Sequence, residues 1–145
     1  MKRQADIRAA DLAQSMVSLV RAFGLHRPTE TPCGEAIPVG EAHALMDLAA
    51  DGPMSHGRLA TCLRLEKSTV SRLVRQLEKR GWIERYGASS DGRVVLIRLT
   101  RKGRRAASRL ANARRAKFET LLAAIPKNKR SSTIAALDVL RKAMD

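Results

Sequence analysis

Ser55-His56-Gly57-Arg58-Leu59-Ala60-Thr61-Cys62-Leu63, the link Arg64-Leu65-Glu66, and Lys67-Ser68-Thr69-Val70-Ser71-Arg72-Leu73-Val74-Arg75-Gln76-Leu77-Glu78-Lys79-Arg80 read as two short helices joined by a tight turn. Ser55 is placed to cap the first helix, whose Leu59, Ala60 and Leu63 face inward. In the second, Val70, Leu73, Val74 and Leu77 fall on one stripe and belong to a core. Ser68, Thr69, Ser71, Arg72, Arg75, Gln76 and Lys79 are left outside that stripe. Glu66 suits the positive end of this helix's dipole, and Lys79-Arg80-Gly81 is a C-terminal stop. Cys62 sits within the apolar pattern of the first helix, so it is expected to be buried and inert.

Downstream, Trp82 to Tyr86 reads as a strand, Gly87 to Gly92 as turn chemistry, and Arg93 to Leu99 as a second, β-branched strand. Thr100 then caps a long helix, Arg101 to about Ile125, with Leu110, Ala113, Lys117, Leu121 and Ile125 on one face. Pro126 to Ser131 breaks it, and a last helix from Ser132 carries Ile134, Leu137, Leu140 and Met144. Upstream, Leu12, Met16, Leu19 and Phe23 mark a helix over about Ala5 to Phe23. The connector after Gly24 holds Pro28, Pro32 and Pro38 and cannot continue a helix. A further helix runs from Val39 to Ala50, ended by Asp51-Gly52-Pro53. The order predicts a mainly α fold: one domain over residues 1–145, with a winged helix-turn-helix at about 39–100 and a two-stranded β-hairpin wing.

Charge narrows the function. Lys and Arg number 28 against 14 acids, a formal net charge of +14. Ser55 to Arg105 holds 14 of the basic residues and only 4 of the acids, so the middle third carries most of the excess. Such a bias suits a polyanion. The N-terminus does not resemble a signal peptide, and no apolar run approaches the length that spans a bilayer. Cys33 and Cys62 make no disulfide framework, so a cytoplasmic protein with no membrane partner is expected. No glycine-rich phosphate loop, nucleophile elbow or Cys-x-x-Cys pair is present, and no catalytic residue, metal or cofactor is assigned.

Double-stranded DNA is the polyanion these elements fit. A helix fills the major groove, where Ser68, Thr69 and Ser71 reach base edges or phosphates. Arg72 and Arg75 are long enough for bidentate contact with guanine. Arg93, beside the hairpin loop, is placed for the adjacent minor groove. Lys79 is assigned to phosphate or solvent, and Trp82 to packing beneath the wing.

These segments, together with Leu77-Glu78-Lys79-Arg80-Gly81-Trp82-Ile83-Glu84-Arg85, resemble the helix-turn-helix of MarR-type regulators. The wing is the most specific match: Asp91-Gly92-Arg93 is similar to the family's Asp-x-Arg, and Leu99-Thr100-Arg101-Lys102-Gly103 to its Leu-Thr-x-x-Gly. The resemblance covers nearly the whole chain. It implies that the helices at about 5–23 and 101–145 are dimerisation helices. It further implies a homodimer on a pseudo-palindromic operator, acting as a repressor released by a small-molecule effector or an oxidant. By the same resemblance, Asp91 orients the wing and Arg93 enters the minor groove.

Other readings stay open at this point. A nucleoid-associated protein of low specificity would share the charge and the fold. A metal-responsive regulator would draw on His26, Glu30, Cys33, Glu41 and His43 around the connector, although the long helix contains no histidine. Cys33 is a candidate sensor thiol, and its reactivity depends on a lowered pKa. An RNA module would want more aromatic platforms than this chain's four.

Overall fold

Ser55 caps its helix as its position predicts, its hydroxyl accepting the Arg58 N–H at 3.2 Å. The structure, a computed structural model, describes residues 7–87 and 94–145. The helices are α1 (Ala9–Phe23), α2 (Val39–Asp51), α3 (His56–Leu63), α4 (Lys67–Lys79), α5 (Arg101–Ala124) and α6 (Arg130–Lys142). Among the described residues three strands accompany them: β1 (Met54–Ser55), β2 (Ile83–Gly87) and β3 (Val95–Leu99).

The expected hairpin is present, with Ile83 opposite Leu99 and Gly87 opposite Val95. It gains a third strand, because Met54 and Ser55 pair with Ile97 and Leu96 in the order β1-β3-β2. Two residues carry no alternation that sequence could reveal. What holds them is long-range: Met54 is driven into the core and is only 1% exposed.

That core joins Leu45 and Leu48 of α2, Leu59 of α3, Val70, Val74 and Leu77 of α4, and Leu110 of α5 to the sheet's Ile83, Ile97 and Leu99. Leu73 is half-buried, leaning on α2 where a Cβ added at Gly40 would lie 3.3 Å from its Cδ2. The buried part of α5 comprises Gly103, Ala106, Ala107 and Leu110, all in its first half. Neither α1 nor α6 buries a single residue.

Three local expectations shift. α1 begins at Ala9, where the Asp11 carboxylate accepts the Arg8 N–H at 3.1 Å; residues 1–6 lie outside the described chain. α6 begins at Arg130 after a short 3-10 turn, Lys127–Lys129, so Ser132 lies inside the helix with its hydroxyl donating back to the Lys129 carbonyl at 3.0 Å. Cys62 is exposed, not buried. The buried side of α3 is centred between Leu59 and Ala60, and at 3.6 residues per turn Cys62 falls on its flank.

The leucine-threonine-glycine segment fixes the wing against α4. Gly81 closes α4 with φ of 72°, a left-handed conformation that favours glycine. Thr100 caps α5: its hydroxyl accepts the Gly103 N–H at 3.0 Å and donates to the Gly81 carbonyl at 2.6 Å. The Thr100 N–H donates to the Trp82 carbonyl at 2.9 Å. A Cβ at Gly103 would stand 1.8 Å from that same carbonyl oxygen, so only glycine lets α5 start there.

Candidate nucleic-acid interface

α4 presents its polar residues in a graded way. Ser68, Arg72, Arg75 and Lys79 recur at steps of four, three and four and form a ridge opposite the buried stripe; all four are exposed. Thr69 and Ser71 lie on the two flanks and are half-buried. Gln76 is exposed beside the ridge. The sequence-predicted residues of this helix are therefore brought together on one surface. Asp91 and Arg93 of the wing lie outside the described residues.

Ion pairing sorts the basic residues into two groups. Arg80 pairs with Glu41 at 2.9 Å, Arg85 with Glu78 at 2.7 Å and Arg98 with Glu84 at 2.8 Å. These are internal ties: Arg85 joins β2 to α4, and Arg98 also lies over the Tyr86 ring at 4.2 Å. Lys67, Arg72, Arg75 and Lys79 enter no ion pair among the described residues. Arg101, Lys102 and Arg105 at the start of α5 are exposed, whereas Arg104 turns in to the Leu99 carbonyl at 3.2 Å. Arg72, Arg75 and Lys79 thus place uncompensated positive charge on the helix ridge, as the exposed cations of α5 do at its start, and that charge costs self-repulsion unless an anion neutralises it.

Glu66 precedes α4 without capping it through its side chain. The first N–H groups of the helix are thereby available to a phosphate. Trp82 takes the packing role expected of it, half-buried against the core beneath the Arg80 guanidinium at 4.9 Å. Sequence reasoning missed one contact at this surface. Nε2 of His56, at the start of α3, lies 3.1 Å from the Ser71 hydroxyl. Residues fifteen apart in the chain carry no spacing signal for such a bond.

A cavity of about 330 Å³ opens between the end of α1, the connector, α2 and α5. Cys33, His43, Met46, Arg114 and the tilted pair Phe23 and Phe118, centroids 5.7 Å apart, contribute to its wall. Burial pushes the Cys33 thiol up, Arg114 and Lys117 oppose this, and Glu35 adds to it. Of the connector's candidate metal ligands, Glu30 is held by Arg27 at 2.8 Å and Glu41 by Arg80. Among the described residues no three His, Cys, Asp or Glu side chains cluster so as to hold a metal ion. Among the described residues no helix is long and apolar enough to cross a membrane.

Comparison with known proteins agrees with this arrangement. Residues 37–95 match the model of the MarR family. An uncharacterized HTH-type transcriptional regulator of Mycobacterium leprae is 30% identical over 140 residues, covering 94% of this chain and 87% of the relative. The fold is shared with S. aureus MepR, solved in complex with DNA, at a TM-score of 0.75 and 21% identity over 92% of this chain and 98% of that one. It is shared equally with the PcaV regulator of Streptomyces coelicolor, solved with its natural ligand, at a TM-score of 0.71 and 20% identity over 95% and 94% of the two chains. The chain belongs to the MarR family of DNA-binding helix-turn-helix transcriptional regulators.

Proposed function

We propose that this regulator is a homodimeric repressor that reads a pseudo-palindromic operator through α4 and the wing and is released by a small organic ligand. The observation that carries the DNA-reading part is the ridge of Ser68, Arg72, Arg75 and Lys79, outward-facing and without internal ion pairs among the described residues. Arg72 and Arg75 make the base contacts, Ser68, Thr69 and Ser71 supplement them, and Lys79 holds phosphate. Arg93 reads the neighbouring minor groove with Asp91 orienting the wing, as the family pattern implies. Such a protein works in the cytoplasm, where the DNA is.

The dimer reading rests on α1, α5 and α6. Leu12 and Leu19 of α1, Phe118 and Leu122 of α5, and Ile134 and Leu137 of α6 are between 43% and 63% exposed. Apolar faces of that extent are stable in water only when covered. The effector reading rests on the cavity, which touches α2 on one side and α5 on the other. A half-buried thiol with a raised pKa is a poor peroxide target, so the cavity favours a ligand over oxidation of Cys33.

Selection of bound fragments from genomic DNA at near-physiological salt tests the proposal. A two-fold sequence with half-sites roughly 10 base pairs apart is the expected result. Recovery of fragments without shared sequence would leave the low-specificity nucleoid reading in its place.

A further inference from the structure

Among the described residues, Ser71 is the hydroxyl of α4 that already has a side-chain partner, His56 Nε2 at 3.1 Å, and both residues are half-buried. A serine hydroxyl has one hydrogen to donate and two lone pairs to accept with. In a neutral imidazole Nε2 donates or accepts according to the tautomer, but in the charged ring it can only donate. Protonation of His56 therefore obliges Ser71 to accept from it and frees the serine hydrogen for another acceptor. The same step adds a positive charge at the edge of the ridge.

The surroundings do not cancel that charge. Of the elements packed on α3, β1 carries no charged group, and β3 brings Arg98, held by Glu84 at 2.8 Å. α2 brings Asp51, which lies 4.0 Å from Arg58 of α3 itself. α4 brings Lys67 and Arg75, one turn before and one turn beyond Ser71, Arg72 next to it, and Glu78, which is held by Arg85 at 2.7 Å. No ion pair to His56 is present among the described residues.

We propose that His56 is a specificity-determining positioning residue. Through its hydrogen bond it sets whether Ser71 offers the operator a donor or an acceptor, and its charged form tightens binding. Resting on the DNA-reading function of α4, this adds a dependence on pH. Near the charged form, Ser71 should prefer guanine O6 or N7, thymine O4 or a phosphate oxygen over an amino group.

Fluorescence anisotropy with a selected operator and its single-base variants, between about pH 5.5 and 8 at fixed salt, tests this directly. The wild type should bind about fivefold tighter at the acid end, the scale of one extra charge near a phosphate. The gain should be largest where Ser71 meets a base with an acceptor. His56→Gln, neutral throughout, should bind with a flat pH profile. Ser71→Ala should keep the tightening but lose the change in base preference. A His56→Gln profile that tracks the wild type, or a wild-type profile that is itself flat, overturns the proposal and leaves the DNA-reading function standing. No specific binding at any pH overturns both.

Discussion

Arg80 Nε lies 2.9 Å from Oε2 of Glu41, tying the end of α4 to the first turn of α2. The Glu41 side chain is 7% exposed and that of Arg80 is 36% exposed, so the carboxylate depends on this partner more than the guanidinium does. On its other side α2 contributes Val39, Ala42, His43 and Met46 to the wall of the cavity. One helix therefore touches both the candidate effector space and the end of α4.

Removing one partner should expose that dependence. Arg80→Ala leaves a buried carboxylate unpaired and also uncovers Trp82, and should cost about 2 kcal/mol, below the range for fully buried pairs because Arg80 meets solvent. Glu41→Gln keeps a hydrogen-bond acceptor in place and should cost about 1 kcal/mol. Urea unfolding gives both numbers. A loss below about 0.5 kcal/mol for Arg80→Ala would mean that the pair contributes nothing net.

Gly103→Ala should be among the most damaging single-carbon additions in the chain. Its Cβ would overlap the Trp82 carbonyl oxygen, 1.8 Å away, and that oxygen also accepts from Thr100. Backbone cannot yield there without moving the wing from α4, so a loss of more than about 2 kcal/mol is expected. Thermal unfolding monitored by circular dichroism measures it. A melting temperature equal to the wild type would contradict this account of the α5 start.

Arg72 and Lys79 share the ridge but should fail differently. Arg72→Ala should cost about 1–3 kcal/mol and relax preference at one base position per half-site. Lys79→Ala should weaken every sequence alike and lower the salt slope by about one. Binding to a panel of operator variants at several salt concentrations separates the two. Uniform losses for both would reduce α4 to an electrostatic contact.

Leu137→Glu places a charge in the middle of the exposed apolar face of α6. If α6 packs in a dimer, desolvating that carboxylate should disrupt it, and sedimentation should move from dimer to monomer at micromolar protein. An unchanged dimer would place the interface elsewhere, and a wild type monomeric at the same concentration would remove the dimer altogether.

The two thiols should react at different rates. Cys62 is exposed, while Cys33 is half-buried with its pKa raised chiefly by desolvation. A raised pKa leaves less thiolate at any given pH, so Cys33 should alkylate more slowly at neutral pH and gain on Cys62 as pH rises. Mass spectrometry after timed iodoacetamide treatment follows each site. Faster labelling of Cys33 at neutral pH would restore it as a redox sensor.

Sequence by itself determined the helices of the helix-turn-helix, their caps and the polarity of α4. These features are local: Ser55 and Thr100 cap helices that begin beside them, and Val70, Val74 and Leu77 repeat with the helical period. The ridge of Ser68, Arg72, Arg75 and Lys79 follows from the same period. Tertiary structure alone decided what depends on residues far apart in the chain. Met54 becomes a strand because Ile97 lies opposite it, and Glu41 is satisfied by Arg80. Cys62 turns outward because the neighbouring elements meet α3 on its Leu59 side. The hydroxyl of Ser71 meets His56 because α3 and α4 cross there. A pattern in sequence encodes which face of an element is apolar; which group that face meets is fixed only when the elements pack.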